Sequence, residues 1–167
     1  MQEQETKYDP VKEFLRSAIE ARIDIRRHKK RVAELDAQCA RLVAKMNGMP
    51  GGGGDDHSHE QMWNQLAEER AAELRAMKRA EEQKEAVEDF ISHLPCAIHR
   101  SILKLKYADD KNWPQVLFAL YEEGVYYSER QLYRHHGDAL QEARALWRQG
   151  GPWKRNITEE ENEKERV

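Results

Sequence analysis

Val11, Phe14, Ala18, Ala21, Ile25, His28, Val32, Leu35, Cys39, Leu42 and Met46 recur in steps of three and four. That spacing is one face of a helix carrying a heptad seam, which Ile19 and Ile23 widen locally. Asp9 and Pro10 supply a cap and a first-turn proline. A helix over Val11–Met46 would be about 54 Å long. A weaker stripe follows at Trp63, Leu66, Leu74, Met77, Val87 and Ile91, interrupted by Arg70 and Lys84. It predicts a second long helix from about residue 59 to His93, capped by Asp56 or Ser58.

Between the two stripes, Asn47 to Gly54 reads Asn-Gly-Met-Pro followed by four glycines. Each glycine would cost a helix interior about 1 kcal/mol relative to alanine. The segment is therefore a connector. A phosphate loop would need Gly-Lys-Ser/Thr, and here Asp55 and Asp56 follow instead. A short connector between long helices predicts an antiparallel hairpin, while periodicity alone also allows the first seam to pair between chains.

The last third has a different rhythm. Pro95 opens a helix carrying Ile98, Ile102, Leu103 and Leu105 up to about Tyr107. Asn112 caps a short helix with Trp113, Pro114, Val116, Leu117 and Leu120, and Gly124 ends it. Ser128 and Gln131 have capping-box spacing ahead of a last helix. Leu132, His136, Ala139, Leu140, Ala143 and Trp147 line that helix before Gly150-Gly151-Pro152 stops it. The expected core of this part is Leu94, Ile98, Ile102, Leu105, Trp113, Val116, Leu120, Leu132, Ala139 and Leu140.

The predicted fold is all-α: a long N-terminal helical hairpin, then a small helix-turn-helix domain. The expected divisions are 1–46, a first long helix; 47–57, a glycine-rich linker; 58–94, a second long helix; 95–150, the small domain; and 151–167, a charged tail. Segment 47–57 is expected to be mobile and 154–167 largely disordered, because one is glycine-rich and the other poor in apolar residues.

Composition narrows the classes. Charged residues make up 35% of the 167, against roughly 25% in ordinary soluble proteins. No apolar run approaches the roughly 20 residues of a membrane span, and the N-terminus has no apolar signal region. Two cysteines, Cys39 and Cys96, make no disulfide framework, so a cytoplasmic setting is expected. The net charge of -3 is too small to announce a polyanion partner. It conceals an uneven distribution, because residues 128–155 carry six Lys/Arg against three Asp/Glu. A basic island therefore sits late in the chain.

In a helix-turn-helix module the N-terminal turns of the last helix enter the major groove. Those turns hold Ser128, Glu129, Arg130, Gln131, Tyr133, Arg134 and His135. Arg can bond guanine, Gln can pair with adenine, and Ser can reach phosphate. A solvated charged face on an ordinary helical bundle is the competing reading.

Ile102-Leu103-Lys104-Leu105-Lys106-Tyr107, Trp113, and the run from Ser128 to Leu140 (SERQLYRHHGDAL) resemble phage transcriptional regulators of the RinA/ArpU type. Their C-terminal domain is similar to region 4 of bacterial sigma factors. The resemblance covers roughly residues 94–147, and the glycine connector matches the family's usual layout. It implies promoter binding and control of phage genes without enzymatic activity, and adds Lys106 to the DNA-binding set. Lys106 stands where the pattern has Arg, and the connection at 121–126 is longer than the family's tight turn.

The expected function is a sequence-specific DNA-binding transcriptional regulator of phage or prophage genes. Its expected partners are double-stranded DNA and RNA polymerase, with self-association through the long helices. A small-terminase-like packaging adaptor and a helical interaction protein without nucleic acid are the alternatives. No catalytic set, cofactor or metal site is expected. Asp55-Asp56-His57-Ser58-His59 reads as solvated linker, His135 and His136 point apart, and Arg26–Arg31 reads as a solvated basic girdle.

Overall fold

The computed structural model describes residues 8–48 and 56–154. Its elements are α1 (Pro10–Asn47), α2 (Asp56–Ser92), α3 (Ala97–Leu103), a π-helical turn (Lys104–Ala108), α4 (Trp113–Glu122), α5 (Glu129–Gln149) and a 3-10 turn (Pro152–Lys154). Among the described residues there is no strand. The protein is all-α, a long helical hairpin followed by smaller helices.

The chain forms two compact units, Arg22–Glu81 and the pair Met1–Ala21 with Glu82–Val167. In the first unit, Arg31 Nη2 meets Glu69 at 3.2 Å, Arg70 Nε meets Asp36 at 2.6 Å, and His28 pairs with Glu73. From Ser17 with Gln83, through His28 with Glu73 and Asp36 with Arg70, to Leu42 beside Leu66, partners advance along α1 as they go back along α2, so the helices run antiparallel and the seam pairs within the chain. Leu35, Leu42 and Leu66 are buried together, with Cys39 packed against them. The seam loosens at its end, where Met46 and Trp63 are exposed. Because α2 already begins at Asp56, neither Asp56 nor Ser58 is its cap, and both belong to the helix rather than the connector. The mobility expected of the connector concerns mainly residues 49–55, which lie outside the described residues.

The second unit holds two apolar clusters. The larger joins Val11, Phe14, Leu15 and Ala18 of α1 to Val87, Phe90 and Ile91 of α2, and adds Leu94, Leu103, Tyr107, Ala139, Leu140, Ala143 and Trp153. Phe90 is at its aromatic centre, with ring centroids 5.5 Å from Phe14, 5.7 Å from Trp147 and 5.2 Å from Trp153. These edge-on contacts are the geometry that ring quadrupoles favour. The smaller cluster is Ile102, Leu105, Val116, Leu120 and Leu132, flanked by Ile98, Trp113, Val125 and Tyr127. Every expected core residue is buried or half-buried. The unit cuts across the linear division at 94/95, because the first turns of α1 and the last of α2 share their apolar face with α5.

Asp9 ties the start of α1 to α5. Its Oδ1 accepts from the backbone N–H of Val11 at 3.2 Å, and its Oδ2 accepts two bonds from Arg144 at 3.1 and 2.7 Å. Burial acts to raise the Asp9 pKa, but the bonds from Arg144 and the helix N–H groups outweigh it and hold the carboxyl below its ordinary value.

Two boundaries differ from expectation. α3 starts at Ala97 rather than Pro95, with Cys96 as its cap, because Pro95 sits in the turn whose carbonyl accepts from Arg100 Nη1 at 3.1 Å. The expected charged tail opens with a buried residue, since Trp153 folds back onto Phe90 and His93. A Cβ at Gly151 would lie 2.4 Å from the Trp153 ring, so this return requires glycine there. The disorder expected for the tail falls on residues 155–167, outside the described residues.

Trp153→Ala should destabilise the protein by about 3–5 kcal/mol, the range for deleting a buried aromatic. Urea unfolding checks this. A loss below about 0.5 kcal/mol, typical of surface changes, would place Trp153 outside the core.

Candidate nucleic-acid interface

α4 and α5 each begin with a reciprocal cap. Gln115 N donates to Asn112 Oδ1 at 3.0 Å, and Asn112 N donates to Gln115 Oε1 at 3.0 Å. Gln131 N donates to Ser128 Oγ at 3.3 Å, and Ser128 N donates to Gln131 Oε1 at 2.9 Å. Two N–H groups are satisfied at each start, which fixes where each helix begins. The box at Ser128 has the expected spacing. At Asn112 the expected cap is present, and Gln115 completes it.

The aim of α5 is set by its apolar side. Leu132 is buried in the smaller cluster, while Ala139, Leu140 and Ala143 are buried in the larger. The opposite side carries Ser128, Glu129, Arg130, Gln131, Tyr133 and Arg134, all exposed. Arg130 and Arg134 are four apart and so lie one above the other. Among the described residues neither side chain makes a hydrogen bond or ion pair. Tyr133 turns its ring edge-on to Trp113, with centroids 5.1 Å apart.

The longer connection between α4 and α5 packs rather than dangles. Val125 N donates to Leu120 O at 2.9 Å, and Gly124 takes a φ of 83° that favours glycine. Tyr121 and Tyr126 meet edge-on at 5.0 Å. Tyr127 stacks on His135 with centroids 4.5 Å apart and planes at 23°.

Three expected contact residues are less available than the rest. His135 is half-buried under Tyr127. Lys106 is half-buried, its Nζ donating to Lys111 O at 3.2 Å and lying 5.0 Å from the Trp113 ring centre. An ammonium has three N–H groups, so Lys106 keeps two others. Gln131 spends its carbonyl oxygen on the cap and keeps its NH₂.

Several contacts were not foreseen from sequence. Tyr107 Oη lies 3.2 Å from His136 Nε2. Burial pushes the Tyr107 phenol above its ordinary value, so it stays protonated and donates. Burial, with Lys12 and Lys106 nearby, pushes the His136 pKa down to about 4. The inward face of His136 was legible, but its partner, remote in sequence, was not. The sequence pattern marks no role for His99, one ligand-type atom of which lies within 4.8 Å of counterparts on His135 and Asp138. In the basic run, Arg27 pairs with Asp24 at 2.8 Å and Arg31 with Glu34 at 3.4 Å, while Arg26, Lys29 and Lys30 are exposed.

His136 makes stability depend on pH. Its pKa is about 6.5 unfolded and about 4 folded, so between these values the unfolded chain binds more protons and stability rises with pH. The contribution is complete above about pH 6.5 and is lost as pH falls towards about 4. Thermal midpoints should decline over that window, and His136→Gln should flatten the decline. An unchanged slope would mean that His136 titrates as if in water.

Among the described residues no helix is long and apolar enough to cross a membrane. Comparison with family models, with curated proteins and with solved structures finds no match to this chain.

Proposed function

We propose that α4 and α5 form a helix-turn-helix that binds double-stranded DNA sequence-specifically, and that the protein regulates transcription of phage or prophage genes. The observation that carries this is the unpaired, exposed Arg130–Arg134 face on the first turns of a helix held rigidly from behind. Arg130 and Arg134 can each bond guanine O6 and N7 or a phosphate, and Gln131 offers its NH₂. The α5 N-terminus, with its partial positive charge, favours a phosphate beside Ser128. Lys106 adds a backbone contact through its remaining N–H groups. Glu129, repelled by phosphate, accepts from a cytosine amino group. The resemblance to RinA/ArpU regulators supports the same reading, with RNA polymerase as protein partner, a cytoplasmic setting and no catalysis.

A second reading has one observation in its favour. Val43, Met46, Met62 and Trp63 are exposed apolar residues near the connector, a surface suited to self-association. A packaging adaptor of the small-terminase type would use it to form rings. Light scattering after size exclusion separates the two, since a ring has many more copies than a dimer.

The DNA reading is tested with duplexes selected by the protein from a random pool. Arg134→Ala should cost about 1–3 kcal/mol and relax specificity at one position if it reads a base. If it contacts phosphate, it should weaken all sequences alike and reduce the salt slope by about one unit. A folded Arg130, Gln131 and Arg134 triple alanine variant that binds as tightly as the parent would overturn the proposal.

A further inference from the structure

His99 of α3 and His135, Asp138 and Glu142 of α5 converge where these helices pack together. The three α5 residues are spaced by three and four, which puts them on one face. His99 is only 8% exposed. One ligand-type atom each of His99, His135 and Asp138 lies within 4.8 Å of the other two. His99 Nδ1 is 2.9 Å from Glu142 Oε2, yet neither of these buried atoms makes an aligned hydrogen bond.

A buried histidine facing one glutamate is common in protein interiors and by itself means little. Here a second imidazole and a second carboxylate join the pair where α3 packs on α5.

We infer that His99, His135 and Asp138 form a site for one divalent transition-metal ion of the zinc, cobalt or nickel kind, with Glu142 orienting His99. Imidazole with carboxylate suits these ions, whereas calcium and magnesium prefer oxygen ligands throughout. Glu142 faces His99 Nδ1, which leaves Nε2 for the ion, the arrangement by which an outer carboxylate fixes a ligating imidazole. The stack of Tyr127 on His135 fixes the second imidazole. Donors at about 2.0–2.1 Å from a tetrahedral ion lie about 3.4 Å apart, so side-chain rotations closing at most about 1.4 Å complete the site. Asp138 is exposed, which gives the ion a path from solvent and leaves water as a further ligand. An ion held there cross-links α3 to α5. The inference rests on this geometry alone and is independent of DNA binding.

The test uses the full chain, stripped with a chelator and titrated with Co²⁺ followed by visible absorption and with Zn²⁺ followed by calorimetry. The parent should bind one equivalent, and Zn²⁺ should raise its thermal midpoint. Asp138→Asn and His135→Gln should weaken binding at least about tenfold, and Glu142→Gln about 10–100-fold, the range for outer partners of a metal site. Circular dichroism confirms that each variant is folded, and Asp138→Asn, at an exposed position, is the variant least exposed to folding failure. A His57→Ala, His59→Ala double variant should bind as the parent does, which separates this site from the other histidine pair. Absence of binding to the parent would overturn the inference. Loss of binding in the His57/His59 variant, with binding retained in Asp138→Asn and His135→Gln, would overturn it equally.

Discussion

The second unit depends on the way α5 is held by two separate apolar clusters. Leu132 enters one through α4 and the turn after α3, and Ala139, Leu140 and Ala143 enter the other through α1 and α2. A helix anchored at one point can roll or swing, and one anchored at two successive points on its face cannot do so without opening a core. Dense packing makes such opening expensive, because lost contacts are not recovered by small shifts. Rotation about the helix axis is thereby set, and Arg130 and Arg134 are turned outward as a consequence. The Asp9–Arg144 ion pair adds a polar tie from the start of α1 to the same helix.

The local features of this arrangement were legible in the sequence. Caps at Asp9, Asn112 and Ser128 are short-range chemistry, with donor and acceptor within three residues, and all three are present. The seam of α1 and the apolar face of α5 follow from periodicity, which needs no knowledge of the partner. What was not legible is pairing across long sequence distances. Trp153 reads as part of a polar tail, because nothing near it in sequence shows that Phe90 and His93 wait for its ring. Leu15 lies off the heptad seam and is nevertheless fully buried, because α1 meets α2 and α5 on two sides. The start of α2 at Asp56 was missed for another reason: Asp-Asp-His after four glycines looks like linker by composition alone.

The candidate interface divides along the same line. Arg130 and Arg134 follow from helical spacing, and the structure leaves both exposed. His135 and Lys106 were placed in the contact set by position and by resemblance, but each has found partners within the fold. For His135 those partners bring a second role into view, since Tyr127 stacks on its ring while His99 and Asp138 bring an imidazole and a carboxylate beside it. A recognition helix whose outward face carries arginines and whose flank carries imidazole and carboxylate ligands would offer two chemistries on adjacent sides of one rigid element.

The central claim is that duplex DNA meets the first two turns of α5. Its most direct measurement is a nuclear magnetic resonance titration of the full chain with duplex DNA at low salt, followed by addition of salt. The account predicts amide shift changes concentrated over Ser128–His135, with smaller changes near Lys106, all receding as salt rises. Changes confined to Arg26–Arg31, or none at saturating DNA, would contradict it.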